Sequence, residues 1–301
     1  MSESQESATA AANTETAAST ETNPPEAASN AVGAEAAPAA ADKTKEEAAT
    51  GEAQEAAKAP PPNQALVEAM EKFRALGQKA FVLGASGEVG KEVVKELCKS
   101  KIFSKVAVIG RRELKYEDDL YKEIDLEQKI VNFDELESKH EDDFKGYDVG
   151  YCCLGTTKGK AGVEGFKKVD HDYVVSSAKL AKAGGCKHFN LVTSQGTNKN
   201  SMFLYPKTKG LCEEHVQEQG FQRFSVYRPG MLLCDREEKR TFEAVFRKLV
   251  KPMEYFAPTW GTAPTVSVAK AMINNTVTAS DKASEILTNK DIRILAGDVK
   301  K

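Results

Sequence analysis

The sequence predicts an α/β fold, a doubly wound parallel sheet with a small C-terminal lobe. Three observations carry that prediction. From Lys79 onward, apolar runs of strand length alternate with amphipathic helical patterns, and such an order pairs strands in parallel through right-handed crossovers. The first strand, Lys79–Leu83, runs directly into a glycine loop, Gly84-Ala85-Ser86-Gly87-Glu88-Val89-Gly90. The composition also divides the 301-residue chain into a tail and a folding unit.

Residues 1–62 contain no aromatic residue, are about one-third alanine, and carry 11 acidic against 3 basic residues. The remainder holds 39 basic and 34 acidic residues, so the overall charge of −3 sums an acidic tail and a mildly basic globule. A segment this poor in large apolar side chains buries too little surface to offset its chain entropy. Residues 1–62 therefore read as a disordered tail ending at the stiff Pro60-Pro61-Pro62, and residues 63–301 as the folded domain. The tail is too acidic for a transit peptide and lacks the apolar core of a signal peptide. No run of about 18 apolar residues exists to span a membrane.

Six cysteines (Cys98, Cys152, Cys153, Cys186, Cys212 and Cys234) form no C-x-x-C pair and match no histidine spacing for a metal. They read as free thiols in a core, with no metal site, and the default compartment is the cytoplasm or nucleus. No run of lysine and arginine is dense enough to indicate a nucleic-acid surface.

The elements follow in order. A helix over Gln64–Leu76 places Leu66, Met70 and Phe73 on one face; it caps the domain or, alternatively, docks a partner. After the first strand and the loop comes a helix, Glu88–Lys99, with Val89, Val93, Val94 and Leu97 inward. Strands two to six are Lys105–Ile109, Lys129–Phe133, Val149–Leu154, Phe189–Thr193 and Phe224–Tyr227. Helical patterns lie between them at Phe166–Ala183 and Pro206–Gln219, and the segment Leu232–Val266 is assigned to the lobe that would meet a substrate.

The strand–loop–helix context gives the glycines a chemical meaning. Gly84 permits a tight turn, Gly87 lets backbone approach a pyrophosphate, and Gly90 lets the helix pack close to the sheet. Ser86, Glu88 and Val89 would then present the helix N-terminus to the phosphates. The second strand ends in Gly110-Arg111-Arg112, about 20 residues beyond the loop, where NAD-binding folds usually carry an acid. Two guanidiniums there fit a 2′-phosphate, which selects NADP(H) over NAD(H); the plain alternative is a pair of surface arginines. Asn132-Phe133 is placed near adenine, and Leu154-Gly155-Thr156 beside the middle of the cofactor.

Tyr205-Pro206-Lys207-Thr208-Lys209 contains Tyr-x-x-x-Lys, which puts both side chains on one helical face. A lysine ammonium beside a phenol favours the phenolate, so Tyr205 can pass a proton to a carbonyl oxygen while hydride arrives from a nicotinamide. Lys209 would also bond the nicotinamide ribose. Ser194, at the end of strand five, supplies a polarising hydroxyl; Thr193 is its rival by one residue of register. The turn Arg228-Pro229-Gly230 is placed where backbone meets the nicotinamide amide, Leu232 contacts the cofactor, and Arg240 reaches the phosphates. His188 reads as a cap or surface residue, and His171 and His215 as helix-surface positions.

Longer strings are more specific than any of these motifs. Phe81–Gly90, Ile109-Gly110-Arg111-Arg112, Cys152-Cys153-Leu154-Gly155-Thr156-Thr157, Gly159-Lys160-Ala161-Gly162, the run Ala181–Asn190, Arg228-Pro229-Gly230 and Leu232–Arg236 together resemble the atypical short-chain dehydrogenase/reductase family. The likeness covers roughly residues 64–290. It implies a Rossmann fold that binds NADPH through Ser86, Gly87, Glu88, Val89, Arg111, Arg112, Leu154, Gly155, Tyr205, Lys209, Leu232 and Arg240, with Tyr205 as proton donor or acceptor. It also implies roles in apoptosis, growth suppression and restrained nuclear import. Nuclear transport receptors are therefore candidate partners, through the first helix or another surface, and the nuclear envelope a candidate location. The tail departs from the family, as does Val89, which stands where a threonine is expected. Two functions remain open at this level: an NADPH-dependent reductase of an unknown small carbonyl substrate, and a regulatory protein whose partner choice responds to NADPH.

Overall fold

The computed structural model describes residues 62–233 and 261–299. The acidic tail, Cys234, Arg240 and most of the anticipated C-terminal lobe lie outside the described residues. Seven parallel strands form one sheet in the order β3-β2-β1-β4-β5-β6-β9. They are β1 Lys79–Leu83, β2 Lys105–Gly110, β3 Leu126–Ile130, β4 Val149–Cys152, β5 His188–Val192, β6 Arg223–Arg228 and β9 Ser284–Thr288. A separate parallel pair joins β7 Met231–Leu233 to β8 Thr262–Pro264. This is a Rossmann-like doubly wound sheet.

Strand alternation splits the core in two. In β1, Ala80 and Val82 point to one face of the sheet, where α2 (Glu88–Ser100) and α7 (Thr265–Val277) pack. Phe81 and Leu83 point to the other, against α5 (Tyr173–Ala183) and α6 (Leu204–Gln217). Both faces are covered, so β1, β2, β4 and β5 are buried almost throughout. The shorter helices are α3 (Leu136–Lys139), α4 (Lys158–Lys167) and α8 (Asn289–Leu295).

The first helix, α1 (Pro62–Ala75), opens on proline, which suits a helical first turn. Leu66, Met70 and Phe73 pack against the core, and Phe73 meets Phe103 edge-on at 5.4 Å. Arg74 donates to the carbonyls of Ser100 and Lys101 at the end of α2. The helix is a cap, and the apolar face that would have docked a partner is engaged within the domain.

Three expectations are corrected. The third strand is Leu126–Ile130 rather than Lys129–Phe133; as an edge strand it is polar and half-exposed, so its most apolar residues, Val131 and Phe133, lie past its end in the core. The sheet gains a seventh strand, β9, whose alternately exposed Ser-Glu-Ile-Leu-Thr carries little apolar signal. His188 is not at the surface: it is buried at the start of β5, and Ser225 Oγ lies 2.9 Å from its Nε2. Burial, reinforced by the Arg223 guanidinium, pushes its pKa down to about 3.

His188 belongs to a polar network that docks β9. Glu285 accepts hydrogen bonds from Arg223, Ser225 and Asn275, and Asn275 also donates to Tyr227. Burial raises the Glu285 pKa, but these donors outweigh it and hold the carboxylate below its ordinary value.

Candidate functional site

The order of the sheet reverses between β1 and β4, and ligands of such sheets bind beyond the carboxyl ends of the strands at that point. The glycine loop emerges there. Gly84 has φ +77°, and Gly87 N–H donates to Gly84 O at 2.9 Å to close the turn. A Cβ at Gly84 would lie 2.5 Å from Cys153 O, and one at Gly90 would lie 2.2 Å from Gly84 O. The loop is thus pressed against the segment that follows β4, and α2 against the loop.

Gly87 caps α2 without any side-chain hydrogen bond. The first-turn N–H groups are left for a ligand, and anions are favoured at such helix starts. Ser86 and Gly87 are exposed, whereas the Val89 side chain is buried in the core. Only the backbone of Val89 can face a phosphate, so the absent threonine hydroxyl removes no core contact.

Arg111 and Arg112 follow β2 and are both exposed. Neither makes a side-chain hydrogen bond or ion pair among the described residues. Arg111 lies close enough to Tyr173 to oppose the upward push that burial and Asp134 exert on its phenol. Adenine contact by Asn132-Phe133 is not supported. Phe133 is in the core against Tyr173, and the Asn132 side chain caps its own turn and donates to Glu135. An open cavity of about 640 Å³ lies just beyond Arg112, lined by Glu113–Glu117, Tyr121, Lys122, Leu126 and Gln128. It includes neither the glycine loop nor Tyr205 and Lys209.

The Tyr205–Lys209 pair singled out in the sequence sits on α6. Tyr205, in its first turn, is exposed and stacks on Phe166 of α4, with 5.6 Å between ring centroids. Its hydroxyl has no hydrogen-bond partner among the described residues. Lys209, one turn on, is buried and ion-paired to Asp170 at 2.8 Å. Burial works against the Lys209 charge, but the Asp170 carboxylate outweighs it and holds the lysine pKa above its ordinary value. Asp170 also accepts Thr156 N–H at 2.7 Å, which links the lysine to the loop Leu154-Gly155-Thr156 after β4.

The hydroxyls at the end of β5 are separated by their partners. Thr193 is buried and donates to Glu213 at 2.6 Å, and Glu213 pairs with Arg228. Ser194 is half-buried, with its hydroxyl 3.4 Å from that of Thr197. Of the two, Ser194 is the one not tied to a carboxylate, although no hydrogen bond joins it to Tyr205 among the described residues.

Several backbone groups of the turn after β6 are engaged within the protein. Pro229 O accepts from Gln195 N–H, Gly230 N–H donates to Asn289 Oδ1, and Met231 N–H donates to Gly261 O. Leu232 is partly exposed on β7. Arg240 lies outside the described residues. His171 and His215 are not plain surface positions: their ring nitrogens meet at 2.8 Å.

Sequence reasoning missed Phe166 and Asp170. Asp170 stands among local basic residues, Lys167, Lys168 and His171, so nothing in the sequence singled out the distant Lys209 as its partner. Burial pushes the thiols of Cys98, Cys152 and Cys186 up to about 11, 12 and 12, and those of Cys153 and Cys212 also upward, so none is poised as a thiolate. Among the described residues no three His, Cys, Asp or Glu are grouped to hold a metal ion, and no helix is long and apolar enough to cross a membrane.

Residues 84–274 match the NAD(P)H-binding family. The chain is also 46% identical to Protein HTATIP2 of Rattus norvegicus over 235 residues, which is 78% of this chain and 96% of that protein. The chain belongs to the NAD(P)H-binding family that includes HTATIP2. A more distant member, Protein FMP52, mitochondrial, of Candida albicans, is 38% identical over 52% of this chain and 69% of its own length. The HTATIP2-like chain shares its fold with MoeE5 in complex with UDP-glucose and NAD, at a TM-score of 0.54 and 14% identity over 70% of this chain and 75% of that one. A UDP-N-acetylglucosamine 4-epimerase from Methanobrevibacter ruminantium gives 0.52 at the same identity, over 70% and 76%.

Proposed function

We propose that this HTATIP2-like protein binds NADPH and reduces a small carbonyl compound, with Tyr205 as proton donor. The single observation that carries the reading is the pairing of an exposed, partner-free phenol with a buried ammonium one turn away, beside the Leu154–Gly155 loop. A phenol so placed donates a proton outward, and the fixed positive charge behind it stabilises the oxygen that has given it up.

The residues present fit the cofactor. The uncapped start of α2 and the cramped Gly84–Gly90 contact make a cradle for a pyrophosphate. Arg111 and Arg112 are cations without protein partners among the described residues, which favours NADPH over NADH through the extra phosphate. When bound, NADPH supplies the hydride. Ser194 donates to the substrate oxygen, Tyr205 transfers its proton to the same atom, and Lys209 holds a ribose hydroxyl and keeps positive charge behind the phenol. Leu154, Gly155 and Leu232 give apolar or backbone contact, and Arg240 a further phosphate contact.

The sequence resemblance to the atypical short-chain dehydrogenase/reductase family implies a regulatory use of the same chemistry in apoptosis, growth suppression and nuclear import, in the cytoplasm or at the nucleus. Because α1 is engaged with the core, contact with transport receptors would use another surface.

The test is Tyr205→Phe assayed against a carbonyl panel with NADPH, alongside NADPH titration. Turnover of every accepted substrate is expected to fall about 10²- to 10⁴-fold, with cofactor affinity unchanged within about twofold. Undiminished turnover in Tyr205→Phe would remove the proposed role of the phenol. NADPH binding with no turnover in the wild type would favour the regulatory reading alone.

A further inference from the structure

The end of α4 and the turn that joins it to α5 answer the reacting pair residue for residue. Phe166, in α4, and Asp170, in the turn, stand four apart, just as Tyr205 and Lys209 stand four apart on α6. The Phe166 ring stacks on Tyr205, and the Asp170 carboxylate holds Lys209 Nζ at 2.8 Å. Asp170 sits in a π-helical turn, Lys168–Asp172, between the two helices. Such turns are rare within helices and recur at functional sites.

Both carboxylate oxygens are committed. Oδ1 faces the lysine, and Oδ2 accepts the Thr156 amide in the loop after β4. Asp170 is 1% exposed. Gly155 lies against the pair: a Cβ there would come 3.3 Å from Asp170 Oδ1 and 3.8 Å from Lys209 Nζ. A buried ion pair gives little net stability over apolar packing of the same volume. Its physical consequence here is placement, because it fixes where the ammonium sits relative to the β4 loop.

We infer that Asp170 is a positioning residue that aims Lys209 and ties it to the Leu154–Gly155 loop, so that the cofactor-facing loop and the lysine move as one unit. The inference rests on the NADPH reading above. Apart from Asp170, Lys209 faces Tyr205 and Cys212 from its own helix and Cys152 from β4. With the carboxylate gone, no acid among these holds the lysine proton against burial, and desolvation alone lowers a lysine pKa.

The experiment compares full-length wild type, Asp170→Asn, and Asp170→Asn/Lys209→Met by NADPH titration and thermal unfolding from pH 7 to 9.5. Tyr205 and both cysteines are common to all three, so the differences isolate the ion pair. Wild-type affinity is expected to change less than about twofold over this range, because the paired lysine keeps its proton. Asp170→Asn is expected to lose at least about tenfold in affinity as pH rises and the lysine deprotonates. Its thermal stability should meanwhile recover toward wild type, since a lysine whose folded pKa has fallen destabilises the fold below that pKa and ceases to above it. The double variant should show neither pH dependence.

A pH-independent affinity loss in Asp170→Asn, equal in size at every pH, would overturn the inference and leave Asp170 a packing residue. Should Asp170→Asn fail to fold while the double variant folds, the role of Asp170 in compensating the lysine charge is supported; failure of both would overturn it. If wild type binds no NADPH at any pH, the cofactor reading falls and takes the coupling with it. That outcome is distinct from a flat Asp170→Asn profile.

Discussion

At the phosphate end of the site, the groups that would face a ligand are backbone N–H groups at an uncapped helix start and the exposed guanidiniums of Arg111 and Arg112. At the proposed reacting end, Lys209 is buried and already paired with Asp170, and the buried Glu213 is paired with the half-buried Arg228. The contrast follows from what each end must do. Donors that bind and release a polyanion cost little to keep in water between visits, whereas a charge that must act at one fixed atom needs neighbours to hold it and low dielectric to make it felt. The two ends should therefore fail in different ways when altered.

The largest effect should come from the open end. Arg111→Ala/Arg112→Ala is expected to weaken NADPH about 100-fold, from the loss of charge-assisted bonds to the 2′-phosphate, while NADH binding shifts less than about threefold. Titration of both nucleotides checks this; equal losses for both would mean the arginines do not read the extra phosphate.

Gly90→Ala comes next and sharpens the comparison by striking the cradle rather than its charges. The new Cβ would stand 2.2 Å from the Gly84 carbonyl oxygen, a backbone atom that cannot swing away. A loss of about 1–3 kcal/mol of stability in denaturant unfolding is expected from the forced shift, with NADPH weakened because the loop moves.

The strand–loop–helix unit was legible in the sequence because it is contiguous: β1, the glycine loop and α2 follow one another, and Gly84 and Gly90 sit where the chain makes close contact with itself. The proximity of Tyr205 and Lys209 was legible for the same reason, the two being one helical turn apart. What the sequence hid was non-local. Asp170 meets Lys209 only because the topology lays α6 beside the α4–α5 segment, and nothing near Asp170 in the chain announces its partner. Thr193 and Ser194 differ by one residue of register, and what separates their surroundings is Glu213, on another element, which accepts from Thr193. Strand β3 was placed three residues late and β9 was missed because edge strands carry half the apolar pattern of central ones. His188 was misjudged because its burial depends on β9 and its network arriving from the far end of the chain.

That network supplies a prediction confined to acid pH, far from both ends of the site. His188 is neutral in the fold, with its pKa held near 3, while the unfolded histidine takes a proton below about 6.5. Its contribution to stability is therefore present above pH 6.5 and lost as pH falls toward 3, at up to about 1.4 kcal/mol per pH unit. Glu285, held below its ordinary value, adds acid sensitivity of the same sign at lower pH. Urea unfolding between pH 7 and 4 should show this slope, and His188→Gln should flatten its upper part without altering NADPH affinity at pH 7.

The central claim is that this fold is an NADPH site, and thermal unfolding of the full-length protein with NADPH and with NADH tests it most directly. A ligand at 100 times its Kd adds about 2.7 kcal/mol to native stability. The account predicts a clear rise in Tm with NADPH and a markedly smaller one with NADH at equal concentration. Equal rises would contradict the reading of Arg111 and Arg112, and no rise with either nucleotide would contradict the cofactor site itself.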